Sequence, residues 1–152
     1  MDQAFSSLEL FNGVARRLNL LLETDSVKIW DDFAHHPTAI ETTLNALSEG
    51  GANDGPLIAV IELRSNTMKA GVHGNALLNS TANADQVIWV LPPDASWDSS
   101  VLEREDGSSR VIRDVLAVED ELVTLSSGQI VFMSNGGFSG IQTRVVERLR
   151  MR

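Results

Sequence analysis

Three stretches of the chain are apolar with almost no alternation: Leu57-Ile58-Ala59-Val60-Ile61, Gln86 to Leu91, and Gln129-Ile130-Val131-Phe132-Met133. Short runs of this kind, rich in β-branched residues, predict strands covered on both faces, as in the middle of a parallel sheet. Val27-Lys28-Ile29-Trp30 follows the turn signal Thr24-Asp25-Ser26 and reads as another strand. Leu18, Leu20 and Leu22 alternate, the pattern of a half-buried strand that the same turn would fold back as a hairpin. Helical spacing appears elsewhere. Ala4, Leu8, Phe11 and Val14 predict an opening helix over 4–14. Ile40, Leu44 and Leu47 predict a second helix, begun by Pro37 and ended by Ser48-Glu49-Gly50-Gly51. Further helices are expected around Gly74 to Asn83, over Val118 to Leu125 with Leu122 and Leu125 inward, and at the end with Ile141, Val145 and Leu149 on one face. Arg144, Arg148, Arg150 and Arg152 would favour the negative end of that last helix. Pro92-Pro93 stops a strand, Asp94 to Ser109 reads as an exposed polar excursion, and Val111-Ile112 as a short strand. Strands alternating with helices predict an α/β fold, a three-layer Rossmann-like domain with a mostly parallel central sheet flanked by helices.

The 152 residues fit one domain with its own core. No cysteine is present, which removes disulfides, thiolate metal sites and cysteine nucleophiles. A formal net charge of −9 argues against a nucleic-acid or anionic-membrane partner. No apolar run reaches the ~20 residues of a membrane-spanning helix, and the polar N-terminus lacks a signal-peptide pattern, so a cytoplasmic protein is expected.

The chemistry gathers where the strands end. Parallel strands present their carboxyl ends on one side of a sheet, so the loops that follow should converge. The first loop, Asp31-Asp32-Phe33-Ala34-His35-His36, puts two carboxylates and two imidazoles before the helix at Pro37. The second, Glu62-Leu63-Arg64-Ser65-Asn66-Thr67-Met68-Lys69, offers a planar guanidinium fork at Arg64 and a point charge at Lys69, and runs toward His73. Ser134-Asn135-Gly136-Gly137-Phe138-Ser139-Gly140 is the third, where glycines allow close backbone approach. Blander roles stand beside these: Asp32 satisfying loop amides, one histidine capping the helix, and Arg64 and Lys69 as solvated charges. The glycine spacing matches neither a dinucleotide fingerprint nor a Walker A loop, and neither of the two lysines, Lys28 and Lys69, has a phosphate-loop context. Ser134 lacks a G-x-S-x-G elbow. The histidines lack H-E-x-x-H spacing, but Asp31, Asp32, His35, His36 and His73 leave open a metal-dependent hydrolase with ligands from several loops. A non-catalytic binding module is the third reading.

The strings DDFAHHPTAI, ELRSNTMKAGVH and VFMSNGGFSGI together resemble the C-terminal domain of the Mur ligases, and the opening FNGVARRLN fits the start of that domain. The likeness runs from about Phe11 to Leu149. RSNTM and SNGGF resemble the members that attach a recycled murein tripeptide, whereas DDxxHHPT is shared with the alanine-adding ligase. The resemblance implies an ATP-dependent amide-forming ligase joining UDP-N-acetylmuramate to L-Ala-γ-D-Glu-meso-diaminopimelate. Such ligases have three domains, and residues 1–152 are similar to the third alone, without the UDP-sugar and central ATPase domains. By itself the chain is then expected to be inactive. ATP and Mg2+ are the implied cofactors, the metal's ligands lying outside this chain. In the same terms, Asp32, Phe33, His35 and Arg64 would hold the nucleotide. His35, His36 and Arg64 would serve the reacting groups. Asn66, Thr67, Lys69, His73, Ser134, Asn135 and Gly136 would hold the peptide substrate. Gln142 stands where the family often has a histidine, and Ala15 and Asn19 where more polar or charged residues are usual.

Overall fold

The structure is a computed structural model that describes residues 17–50, 55–64, 74–95 and 98–152. The expected opening helix over 4–14 lies outside them, as do Asn66, Thr67, Lys69 and His73. Within the described residues six strands form one sheet: β1 Asn19–Glu23, β2 Val27–Asp32, β3 Leu57–Glu62, β4 Gln86–Val90, β5 Ser109–Ile112 and β6 Gly128–Met133. Their order is β1-β2-β6-β3-β4-β5. Only β1 is antiparallel to its neighbour; β2, β6, β3, β4 and β5 pair in parallel. Among the described residues four helices accompany them: α1 Pro37–Glu49, α2 Gly74–Ser80, α3 Val115–Leu122 and α4 Ile141–Arg150. The expected three-layer α/β architecture with a mostly parallel sheet is the one observed.

The unbroken apolar runs have a direct cause. In β3, Leu57, Ala59 and Ile61 face a layer shared with Ile40, Leu44 and Leu47 of α1 and Leu77 of α2, while Ile58 and Val60 face a layer shared with Val118 of α3 and Ile141 and Val145 of α4. Both faces are covered, so both sets must be apolar. The same division runs through β4 and β6.

Departures from the sequence reading have local reasons. Leu20 is 40% exposed, not inward with Leu22. The β1–β2 register slips between Leu20 and Leu22, and this bulge inverts the alternation. Helix α2 ends at Ser80, not Asn83, because the hydroxyls of Ser80 and Thr81 donate to the carbonyls of Leu77 and Leu78 and replace the helical pattern there. Helix α3 starts at Val115, three residues early, because the Asp114 carboxylate caps it by accepting from Leu116 N–H at 2.9 Å. Leu125 thus falls beyond the helix, though it still packs on the second layer. The excursion after Pro93 is not wholly exposed: Leu102, in the 3-10 turn Ser99–Leu102, is fully buried. Arg144 sits in the first half of α4, not at its negative end.

Candidate functional site

Strands β2, β6 and β3 are neighbours in parallel register, with Asp32 opposite Met133 and Met133 opposite Ile61. Their carboxyl ends therefore share one rim, and the three polar loops meet there. Ser134 N–H donates to the Asp32 carbonyl at 3.1 Å. Ser134 Oγ donates to Glu62 Oε1 at 3.3 Å, and Arg64 Nη1 lies 3.9 Å from the same oxygen. Asp32, Arg64 and Ser134, far apart in sequence, thus meet at one rim, Arg64 by way of Glu62. Asn135 and Gly136 are half-buried beside them.

On the α1 side of this rim lies a cavity of about 580 Å³ lined by Asp32, Phe33, His35, His36, Thr42 and Thr43 among others. Asp32 is buried and accepts from Ala34 N–H and Leu18 N–H, each at 2.7 Å. The loop-amide role is therefore real. Each carboxylate oxygen still has a second lone pair. Phe33 is 38% exposed at the cavity and meets His35 edge-on at 5.3 Å between ring centroids. His35 Nδ1 donates to the Phe33 carbonyl at 2.9 Å, which fixes the tautomer and leaves Nε2 as the other ring nitrogen. His36 lies against His35 at 4.4 Å between centroids. It occupies the N-cap position of α1 through its backbone, its carbonyl accepting from Ile40 N–H, with no side-chain cap. The fixed φ of Pro37 starts the helix in its place.

A second cavity, about 330 Å³, opens beyond β3 and is lined by Glu62, Arg64, Pro92, Pro93, Arg113 and Ser139 among others. Glu62, Arg113 and Ser139 line this cavity; the sequence reading placed Glu62 and Ser139 in the second and third loops but gave none of the three a role. The signal available was a charge directly after an apolar strand, at Glu62 and again at Arg113.

The hydrolase constellation does not assemble from Asp31, Asp32, His35 and His36. Asp31 turns to the other face of the sheet, where Gln142 Nε2 donates to its Oδ1 at 3.3 Å. Among the described residues no group of three or more His, Cys, Asp or Glu side chains is placed to hold a metal ion. Among them, too, no helix is long and apolar enough to cross a membrane.

A doubly covered, mostly parallel sheet with an aromatic and a carboxylate in one rim cavity, and guanidiniums in the next, defines an α/β domain of the Rossmann-like kind. Residues 16–134 match the family described as Mur ligase, glutamate ligase domain, and the chain belongs to that family. It is 40% identical over 149 residues to the UDP-N-acetylmuramate–L-alanyl-γ-D-glutamyl-meso-2,6-diaminoheptandioate ligase of Escherichia coli, covering 96% of this chain and 33% of that protein. The enzyme of the same name from Haemophilus influenzae is 33% identical over 160 residues, covering 100% of this chain and 34% of its own length. In the crystal structure of a murein peptide ligase from Psychrobacter arcticus, the similar part covers 96% of this chain and 32% of that one, at 37% identity and a TM-score of 0.75. The chain thus spans about a third of the length of the curated relatives it matches.

Proposed function

We propose that this chain is the C-terminal domain of an ATP-dependent ligase that joins UDP-N-acetylmuramate to the tripeptide L-Ala-γ-D-Glu-meso-diaminopimelate in the cytoplasm, as part of peptidoglycan recycling. Its missing partners are an N-terminal UDP-sugar domain and a central ATPase domain. The observation that carries the reading is the single rim shared by Asp32, Arg64 and Ser134, with one cavity on either side of it. The relatives that share this domain are named for that pair of substrates.

In the reaction, the γ-phosphoryl group of ATP passes to the lactyl carboxylate, giving ADP and an acyl phosphate. The peptide amine then attacks the acyl carbon, phosphate leaves, and an amide and a proton result. The cavity of about 580 Å³ is within the range that takes a nucleoside. Phe33 offers an exposed ring for a base, and the free lone pairs of Asp32 can accept from ribose hydroxyls. His35 and His36 line the same cavity and would serve the reacting groups. Arg64 supplies the planar fork that a developing phosphoryl charge or a peptide carboxylate requires. Ser134, Asn135 and Gly136 would hold the peptide substrate together with Asn66, Thr67, Lys69 and His73. Magnesium would accompany ATP on ligands supplied by the central domain.

The full-length ligase carrying this domain should release ADP and form the amide only when both substrates and ATP are present. The chain alone should form none and bind ATP weakly by calorimetry. A full-length protein unable to join the two substrates would refute the reading.

A further inference from the structure

Arg64 is long, 58% exposed at its side chain, and follows the end of β3, a situation in which rotamer entropy normally scatters a guanidinium. Here two features bound it. On one side is Gly136: a Cβ built there would stand 2.8 Å from both Cδ and Cζ of Arg64, so only a glycine leaves the guanidinium its seat against the backbone. On the other is Glu62, whose side chain is 13% exposed and whose Oε1 lies 3.9 Å from Arg64 Nη1. Glu62 is itself held. Ser134, fully buried, donates its hydroxyl proton to Glu62 Oε1 and accepts from Gly136 N–H at 3.0 Å. One serine thus fixes both the carboxylate and the glycine between which the guanidinium lies.

The geometry points to Glu62 as a positioning residue, which with Ser134 aims Arg64 into the 330 Å³ cavity for an anionic group of the substrate. In this role Ser134 acts through Glu62. The ion pair is too long for a hydrogen bond and biases the guanidinium without neutralising it. Identifying the anion rests on the ligase reading; the orientation of Arg64 does not.

Two experiments test this separately. In the chain itself, 15N relaxation of Arg64 Nε should show a side chain nearly as ordered as the backbone. That order should be lost in Glu62→Gln, reduced in Ser134→Ala, and largely kept in Glu62→Asp, which also serves if the Gln variant folds poorly. Equal order in wild type and Glu62→Gln would overturn the proposal. In the full-length ligase, Glu62→Gln should lower kcat/KM about fivefold but have no effect in an Arg64→Met background. Additive losses would overturn it as well. A wild-type ligase that forms no amide would sink the assigned reaction instead, and the relaxation measurement then decides the positioning role alone.

Discussion

Asp31 and Asp32 are consecutive in β2 and send their carboxylates to opposite faces of the sheet. Asp31 meets Gln142 of α4, whereas Asp32 holds Leu18 and Ala34 N–H on the α1 side. Period-two alternation separates what the sequence shows as a pair. In Asp32→Asn either the buried Ala34 amide or the half-buried Leu18 amide loses its acceptor and faces an NH2 group, for a cost of about 1–3 kcal/mol. Urea denaturation of this variant checks it, and a midpoint equal to that of wild type would contradict it.

Glu119 of α3 is 5% exposed and takes Arg144 Nε at 2.7 Å and Arg148 Nη1 at 3.1 Å from α4. The hydrogen bond from Arg144, joined by that from Arg148, holds its carboxyl below the ordinary value against the opposing effect of burial. A carboxylate with a lowered folded pKa stabilises the fold above its unfolded pKa and loses that contribution as pH falls through the folded one. Glu119→Gln should thus cost about 1–2 kcal/mol at neutral pH. The gap to wild type should narrow as pH drops below the ordinary value of 4.5. Denaturation midpoints from pH 7 to pH 3 would show it, and a gap that stays constant would refute the assignment.

The interior strands were legible because burial on both faces removes polar residues from them, and nothing local competes with that signal. From parallel strands it followed that Asp32, His35, Arg64 and Ser134 would share a rim, and the pairings of β2, β6 and β3 bear this out. What the sequence did not show depends on single atoms or distant segments. The bulge that turns Leu20 outward, the Asp114 cap that starts α3 early, and the hydroxyls that end α2 are local contacts with weak signatures. The second cavity draws Glu62, Arg113 and Ser139 from three segments, and no spacing links them. Basic residues of α4 read as dipole partners because the carboxylate they embrace lies in another helix.

Gly128 and Gly136 should respond differently to alanine. Gly128 opens β6 at φ +122, and its Cβ would stand 3.0 Å from Pro56 N and Cδ and closer still to the Pro56 carbonyl oxygen, which accepts from Gln129 N–H. Backbone cannot yield there, and Gly128→Ala should cost roughly 2–4 kcal/mol. At Gly136 the obstacle is the far end of Arg64, which can swing away. Gly136→Ala should therefore leave stability within about 1 kcal/mol of wild type while lowering kcat/KM in the full-length ligase. Thermal melts combined with ligation kinetics separate the two, and a Gly136→Ala variant with unchanged kinetics would show that the seat of Arg64 is not needed.

Phe138, Ser139 and Gly140 turn left-handed in succession, at φ 50, 51 and 70. Only the glycine does so without steric cost. Phe138 is kept there by its ring, fully buried and edge-on to Phe132 at 6.0 Å. Ser139 has no comparable anchor: its side chain is exposed, and its carbonyl accepts from Arg144 Nη1 whatever residue bears it. A left-handed L-residue costs about 1–2 kcal/mol, and glycine gives back roughly 0.5–1 kcal/mol through the unfolded chain. Ser139→Gly should therefore raise stability by up to about 1 kcal/mol, and Ser139→Val, with its branched Cβ, should lower it. Calorimetric melting of the three proteins orders them Gly, Ser, Val. A valine variant as stable as wild type would mean that the turn does not hold its left-handed form at this position. Arg144 would then have to reach the Ser139 carbonyl by another path.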